Sequence, residues 1–264
     1  MAFTKNTPII WQGAGPVQIG TFDLDRGRAD QGYIVDVYRV GCGTSALTTS
    51  ISIETRDVKE TCSGHGCTLI QYTNARTLTV SLSLVQFSGR TLAAALFGAA
   101  VENEGGTVTD EILPELAPGD YFNLRHVKAS DIVIADSTGS PIQYVEGTHY
   151  EVEDAGHGRI HLIGHPQSHV EPVMVDYAYG RSVNIKAFSQ TNVERGIIFD
   201  GLNQSGQRAR LIIPRVALSL NGDFSWISNE EATLTLSGNA LYVQQLEGDT
   251  DYNGFARVSL FSED

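Results

Sequence analysis

Long apolar runs are missing from this chain of 264 residues. Its most apolar stretch, Leu92–Val101, is Ala-rich and far shorter than the ~20 residues that cross a bilayer, so no membrane partner is expected. The N-terminus, MAFTKNTPIIWQG, has one Lys and no signal-peptide core, so synthesis and retention in a cytoplasm are expected. Cysteine is scarce: Cys42, Cys62 and Cys67, an odd number that argues against a disulfide framework. Basic residues are few, 18 against 31 acids, for a net charge of −13. That balance argues against conventional nucleic-acid binding, which needs basic patches to neutralise phosphates. It suits a surface that repels DNA, or one that stays soluble. No GxGxxG, P-loop GKS/T, GxSxG or HExxH occurs, and no spacing of the many acids selects a glycosidase pair. No catalytic residue, cofactor or metal ligand is therefore expected.

What the chain does have is glycine, at 27 residues, and short runs of Val, Ile, Thr and Leu. These favour many strands joined by turns. Residues 1–16 read as an apolar arm carrying Ile9, Ile10 and Trp11. Val17–Leu24 and Tyr33–Val40 read as strands. Leu47–Thr55 alternates, with Leu47, Thr49, Ile51 and Ile53 on one face and Thr48, Ser50, Ser52 and Glu54 on the other. Arg76–Phe87 alternates again, Leu78, Val80, Leu82 and Leu84 inward and Thr79, Ser81 and Ser83 outward. The pair reads as a long hairpin whose tip, Arg56–Tyr72, contains Cys62 and Cys67. Ser88–Ala100 is predicted as a helix capped by Ser88. Val101–Asp120, with six acids and no base, reads as an exposed linker.

Tyr121–Gly180 reads as a separate β module of short strands, with a "GTHYEVEDAGHGRI" hairpin pattern and a closing "VDYAY". Beyond it, Ser182–Thr191, Glu194–Asp200 and Arg208–Leu220 are extended runs, and Asn203–Gly206 is a turn. Asp223–Ala232 reads as a short helical turn or loop. Thr233–Tyr242 alternates Leu with Thr and Ser, and Phe255–Phe261 is a last strand before an acidic end, Ser262–Asp264. Arg208, Arg210 and Arg215 form the densest basic group and read as an exposed strand end or an inter-subunit salt bridge, the latter preferred.

Two clusters invite a metal and do not carry one on spacing. Cys62-Ser-Gly-His65-Gly-Cys67 offers three donors without the second pair that a zinc site wants, and reads as a loop tip. His157, His161, His165 and His169 recur every fourth residue, but Gly156, Gly158, Gly164 and Pro166 disfavour a helix. In a strand, positions four apart lie about 13 Å apart, too far to share an ion.

The order strand, turn, long strand, short connection, alternating strand over 182–242 resembles the C-terminal part of tail tube proteins of long-tailed bacteriophages. The residues that carry the likeness are Phe199-Asp200-Gly201, Asn203, Arg215-Val216, Ile227-Ser228 and Glu230-Glu231. The long hairpin and the Thr91-Leu92-Ala93 to Leu96-Phe97-Gly98 helix resemble that family too, over about residues 17–100 and 181–261. The resemblance implies a mainly β fold, a β-sandwich or partly closed barrel with one flanking α-helix and an inserted small β module. The core domain would be 1–118 with 181–264, and the insertion 119–180. It further implies a structural virion protein of a siphophage tail, assembled in the host cytoplasm as hexameric rings stacked into a tube. Its partners would be further copies of itself, the tape measure, terminator or completion and tip proteins, and genomic DNA passing through the lumen without specific binding. On that reading Ile9, Ile10, Trp11, Arg56, Lys59, Glu60, His65 and Tyr72 are subunit-interface candidates. Thr48, Ser50, Ser52, Glu54, Thr79, Ser81 and Ser83 are candidates either for a lumen or for an ordinary solvent-facing sheet surface. A carbohydrate-binding β-sandwich module on a virion or cell surface is the alternative.

Overall fold

A computed structural model describes residues 8–191 and 193–262. The expected arm is covered only from Pro8 onward, and the acidic end only at Ser262; their remaining residues lie outside the described ones. The described chain is mainly β, with one α-helix. It divides into two compact units, residues 1–100 with 185–264, and residues 101–184.

The first unit begins with β1 (Gly13–Ala14), β2 (Val17–Phe22), β3 (Ile34–Arg39), β4 (Thr44–Lys59) and β5 (Thr68–Leu84). Helix α1 (Gly89–Ala95) follows. The chain leaves along β6 (Ala99–Asn103). In the second unit run β7 (Gly106–Ile112), β8 (Tyr121–Asn123), β9 (Ala129–Asp136), β10 (Tyr150–Asp154), β11 (Arg159–Leu162) and β12 (Val173–Tyr179). It returns along β13 (Ser182–Lys186), which pairs with β6. The first unit is completed by β14 (Glu194–Asn203), β15 (Gln207–Leu220), β16 (Leu234–Ala240) and β17 (Arg257–Ser262).

One large sheet orders its strands β3-β2-β14-β15-β16-β5-β4, with β1 beside β14 and β17 beside the first half of β15. Its registered pairs are antiparallel. Among the described residues no closed barrel forms, because β3 and β4 end the sheet without meeting each other. Ile19, Leu82, Leu84, Ile197, Ile213, Leu218, Leu234 and Leu236 bury one face, covered by Leu92 and Ala95 of α1. Each such aliphatic side chain contributes about 1.5–3 kcal/mol on burial. The opposite face is covered toward β2, β3 and β14 by Ile34, Ile212, Val243, Leu246 and Tyr252.

Pro214 lies inside β15, a position that costs a central strand one ladder hydrogen bond. The chain tolerates it through a bulge: Ile213 opposes Ile197 while Val216 opposes Arg195, one extra residue on β15. The bulge reverses the alternation, so Ile213 and Val216 both reach the same core. Gly20 and Gly196 pair across β2 and β14, and a Cβ on either would meet Ile34 side-chain atoms at 2.3 or 2.4 Å. Their lack of a side chain is what admits Ile34.

Several sequence expectations are corrected. The helix stops at Ala95 rather than Ala100. Phe97 takes φ 48°, and the Gly98 N–H donates to the Ala93 carbonyl at 2.8 Å, a Schellman end that turns the chain into β6. Ser88 does cap its start, accepting from Thr91 N–H at 3.3 Å. The acidic stretch Val101–Asp120 is no linker. Its Gly106–Ile112 part is a strand on β12, with Val108 on the second unit's core and Glu111 accepting from the Tyr177 hydroxyl. Of the two readings of Asp223–Ala232, a short helical turn or a loop, it is the loop that forms.

In the second unit, sheets β10-β11-β8 and β7-β12-β9 enclose Phe122, Leu124, Ile134, Ile160, Leu162, Val175 and Tyr177.

Candidate functional site: a hydroxyl-lined sheet face and a long hairpin

The hairpin of β4 and β5 is longer than its alternation implies. Pairing continues from Thr44↔Leu84 out to Lys59↔Thr68, so residues 56–59 and 68–72, expected in the tip, are strand. β-Branched and hydroxylic residues carry the ladder through the charged stretch. At the true tip Glu60 accepts hydrogen bonds from the Cys62 and Ser63 N–H groups and from the Ser63 hydroxyl. Those bonds, the Ser63 hydroxyl first, hold its carboxyl below the ordinary range. Glu60 therefore closes its own turn.

Near its base the hairpin has two unlike faces. Val80, Leu82 and Leu84 are fully buried. The other face brings together every lumen candidate: Thr48 opposite Ser81, Ser50 opposite Thr79, Ser52 opposite Thr77, and Glu54 opposite Ala75. Strand β16 extends it, because Ser83, Ser81 and Thr79 pair with Thr235, Ser237 and Asn239. Strand β15 extends it again through Ser219 and Ala217. The Thr79 hydroxyl donates to Asn239 Oδ1 at 2.9 Å, Ser83 and Thr235 hydroxyls lie 3.4 Å apart, and Ser219 donates to the Ser237 carbonyl. The result is a four-strand surface of small hydroxyl and amide groups. Between Thr48 and Glu54 its β4, β5 and β16 residues carry one charge, Glu54, while on β15 the row of Ser52 and Thr77 reaches Arg215, which is held by Glu194. The β16 residues were missed as partners; their Leu/Thr/Ser alternation was visible, but which strand lies beside which is a tertiary fact.

The interface candidates do not converge. Arg56 and Tyr72 face each other across the distal hairpin, with Lys59 and exposed His65 beyond them. The arm lies back on its own chain: Gly13 and Ala14 pair with Asn203 and Leu202, and Asn203 Nδ2 donates to the Ile10 carbonyl. Trp11 sits so close over Gly13 that a Cβ there would meet its ring at 2.5 Å. Ile9 is half-buried and Ile10 exposed. The preferred inter-subunit role for the arginine group is corrected at two members. Arg215 forms a bidentate pair with Glu194, both bonds 2.6 Å, and stacks over Phe22; Arg210 pairs with Asp200 at 2.5 Å. The Glu194 bond holds the Arg215 guanidinium's pKa above its ordinary value.

Among the described residues, one group brings three metal-type donors within 4.8 Å: His165, His169 and Glu171. The strand-spacing argument fails here, because a turn at Pro166–Ser168 folds the chain back and stacks the two rings at 4.0 Å. The donor set nevertheless does not suit an ion. The rings are parallel to 6°, so their in-plane lone pairs cannot converge. His165 Nε2 donates to the Leu116 carbonyl at 2.9 Å, which leaves Nδ1 to accept from the Tyr144 hydroxyl at 2.8 Å. Burial, then Glu171 and Asp136, push that phenol up to about 12, so it stays a proton donor. Cys62, His65 and Cys67 do not come together with a further donor in this way.

No described helix is long and apolar enough to cross a membrane. No curated protein matches the chain. A family model described as "Protein of unknown function UCP028589" matches residues 13–259. The chain, whose matched span takes in the hydroxylic sheet face, the long hairpin and the second unit alike, belongs to that family.

Proposed function

We propose that this protein is a structural subunit that assembles as stacked hexameric rings into the tail tube of a long-tailed phage, a conduit for DNA. The observation that carries the reading is the hydroxylic face of β15, β16, β5 and β4. A conduit for DNA must avoid cationic groups, since each phosphate contact adds a salt-dependent grip on the passing strand. A polar face whose β4, β5 and β16 residues carry one acid and no base, and whose bordering Arg215 is neutralised by Glu194, meets that requirement, and a concave wall focuses its repulsion. The sheet also ends in open strands, β4 above all, and long exposed edges are a liability in a free monomer. Joining edges around a ring removes it.

The test is electron microscopy of the purified chain, followed by Ser50→Lys with Ser81→Lys in an infectious particle. Rings or tubes with a central channel are expected. The double variant still assembles, because both side chains face away from the core, and delivers DNA more slowly, most at low salt. A chain that stays monomeric at every concentration overturns the reading. Unchanged delivery at all salt concentrations removes these strands from the lumen.

A further inference from the structure

We propose that one copy of this chain docks head to tail on the next by inserting an aromatic knob, Trp226 with Ile227, into an apolar groove midway along the hairpin. The proposal rests on the assembly reading above and adds the surfaces that join the copies.

The knob is the loop between β15 and β16. Trp226 is 76% exposed and Ile227 95%, far more than isolated surface residues of their type need to be. They are held out rather than loose. Phe224 packs edge-on against Phe87 at 5.3 Å, and Trp226 edge-on against Phe224 at 4.8 Å. The Ser225 hydroxyl donates to the Ile227 carbonyl at 2.9 Å. An ordered, exposed Trp is the residue type that most often anchors an interface.

The groove has a volume of about 430 Å³ and is lined by Ile51, Leu78, Phe255, Tyr242, Arg76 and Glu247 among others. Its volume lies in the ~300–1,000 Å³ range of sites that take up an apolar group. Ile51 is 75% exposed although it stands in the row of Leu47, whose side chain packs on the core. Tyr242 and Phe255 form its wall at 5.3 Å, and Gly254 lies so close under Tyr242 that a Cβ there would meet the ring at 2.2 Å.

The two surfaces cannot meet within one copy. Leu234, which ends the knob loop, pairs with Leu84, while the groove begins at Leu78 on the same strand. Six residues of strand separate them by about 20 Å, and the knob leans toward Phe87, away from the groove. A knob and a socket at different places on one chain make a heterologous contact, which closes into rings or propagates as a stack. Of the groove's two charges, Glu247 is engaged by Tyr242, while Arg76 has no carboxylate partner among the described residues and is open to Glu230 and Glu231, which follow the knob.

The experiment uses two full-length variants. Trp226→Ala with Ile227→Ser removes the knob, and Ile51→Glu closes the groove at an exposed position. Each alone is expected to need on the order of tenfold more protein to assemble. Mixed in equal amounts they pair once and stop, because one retains only a socket and the other only a knob; sedimentation velocity reads this. Arg76→Glu is expected to weaken assembly, and Glu230→Arg with Glu231→Arg to restore it, which covers a knob variant that fails to fold. Normal assembly of either first variant, or no pairing in the mixture, overturns the contact. Tubes from the unmodified chain and from both variants sink this contact and leave the tube reading standing. Pairing in the mixture, with no rings or tubes from the unmodified chain, does the reverse.

Discussion

At the scale of single residues, the second unit depends on a buried carboxylate. Asp136 is almost inaccessible and accepts from Ile142 N at 2.7 Å, Thr138 Oγ1 at 2.8 Å, Val170 N at 3.2 Å and Thr138 N at 3.3 Å. Burial pushes its pKa up, but these donors together outweigh it and hold the group below the ordinary carboxylate range. A carboxyl lowered by folding contributes stability above its unfolded value, about 3.9, and loses it as pH falls through the folded value. Melting temperature of the second unit is therefore expected to be flat above about pH 5 and to fall below about pH 4. Asp136→Asn keeps the size, lowers the melting temperature at pH 7 by more than about 5 °C and flattens the acid limb. An unchanged acid limb in that variant, by calorimetry, would assign the pH dependence to other carboxylates. In the core of the first unit, Leu236→Ala removes a fully buried side chain and is expected to cost about 2–5 kcal/mol in denaturant unfolding.

At the scale of elements, the hairpin separates folding from assembly. Its outer half is exposed on both faces, including Ile53, Ile70 and Tyr72, so it adds little to the core. Lys59 and Thr68 are already register partners. Replacing residues 60–67 with Asn-Gly, a two-residue hairpin turn, should shift unfolding free energy by no more than about 0.5 kcal/mol. Under the tube reading the same variant loses assembly. Normal tubes from it would show that the tip reaches no neighbour. The alternation of Leu78, Val80, Leu82 and Leu84 against Thr79, Ser81 and Ser83 made the proximal half of this element legible in advance. The distal half was not legible, because Arg56, Asp57 and Lys59 read as a solvated excursion, whereas the backbone ladder there needs no buried side chain.

At the scale of the molecule, the unit boundary decides which excision is tolerated. Cutting at residues 119 and 180 would strand β7, whose Thr107, Val108 and Glu111 pair with Ala178, Tyr177 and Val175 of β12. Replacing residues 104–181 by a short Gly/Ser turn instead joins β6 to its partner β13. That variant is expected to unfold cooperatively, while the 119–180 excision exposes an unpaired strand and aggregates. Equal behaviour of the two, by light scattering and calorimetry, would show that β7 is dispensable.

Composition and local pattern determined the mainly β class, the Ser88 cap and the two-faced strands, because these rest on neighbours along the chain: period-2 alternation, a hydroxyl within reach of the next turn. Only the tertiary structure decided what depends on distant residues. It placed β16 beside β5, so that separate Ser/Thr rows became one surface. It bulged β15 at Pro214 so that Ile213 and Val216 share a core. It gave Arg215 and Arg210 partners in their own chain, and turned the chain at Pro166 so that two histidines stack. Strand order, bulges and partner choice are set by which apolar faces can be buried together, and no stretch of sequence carries that information alone.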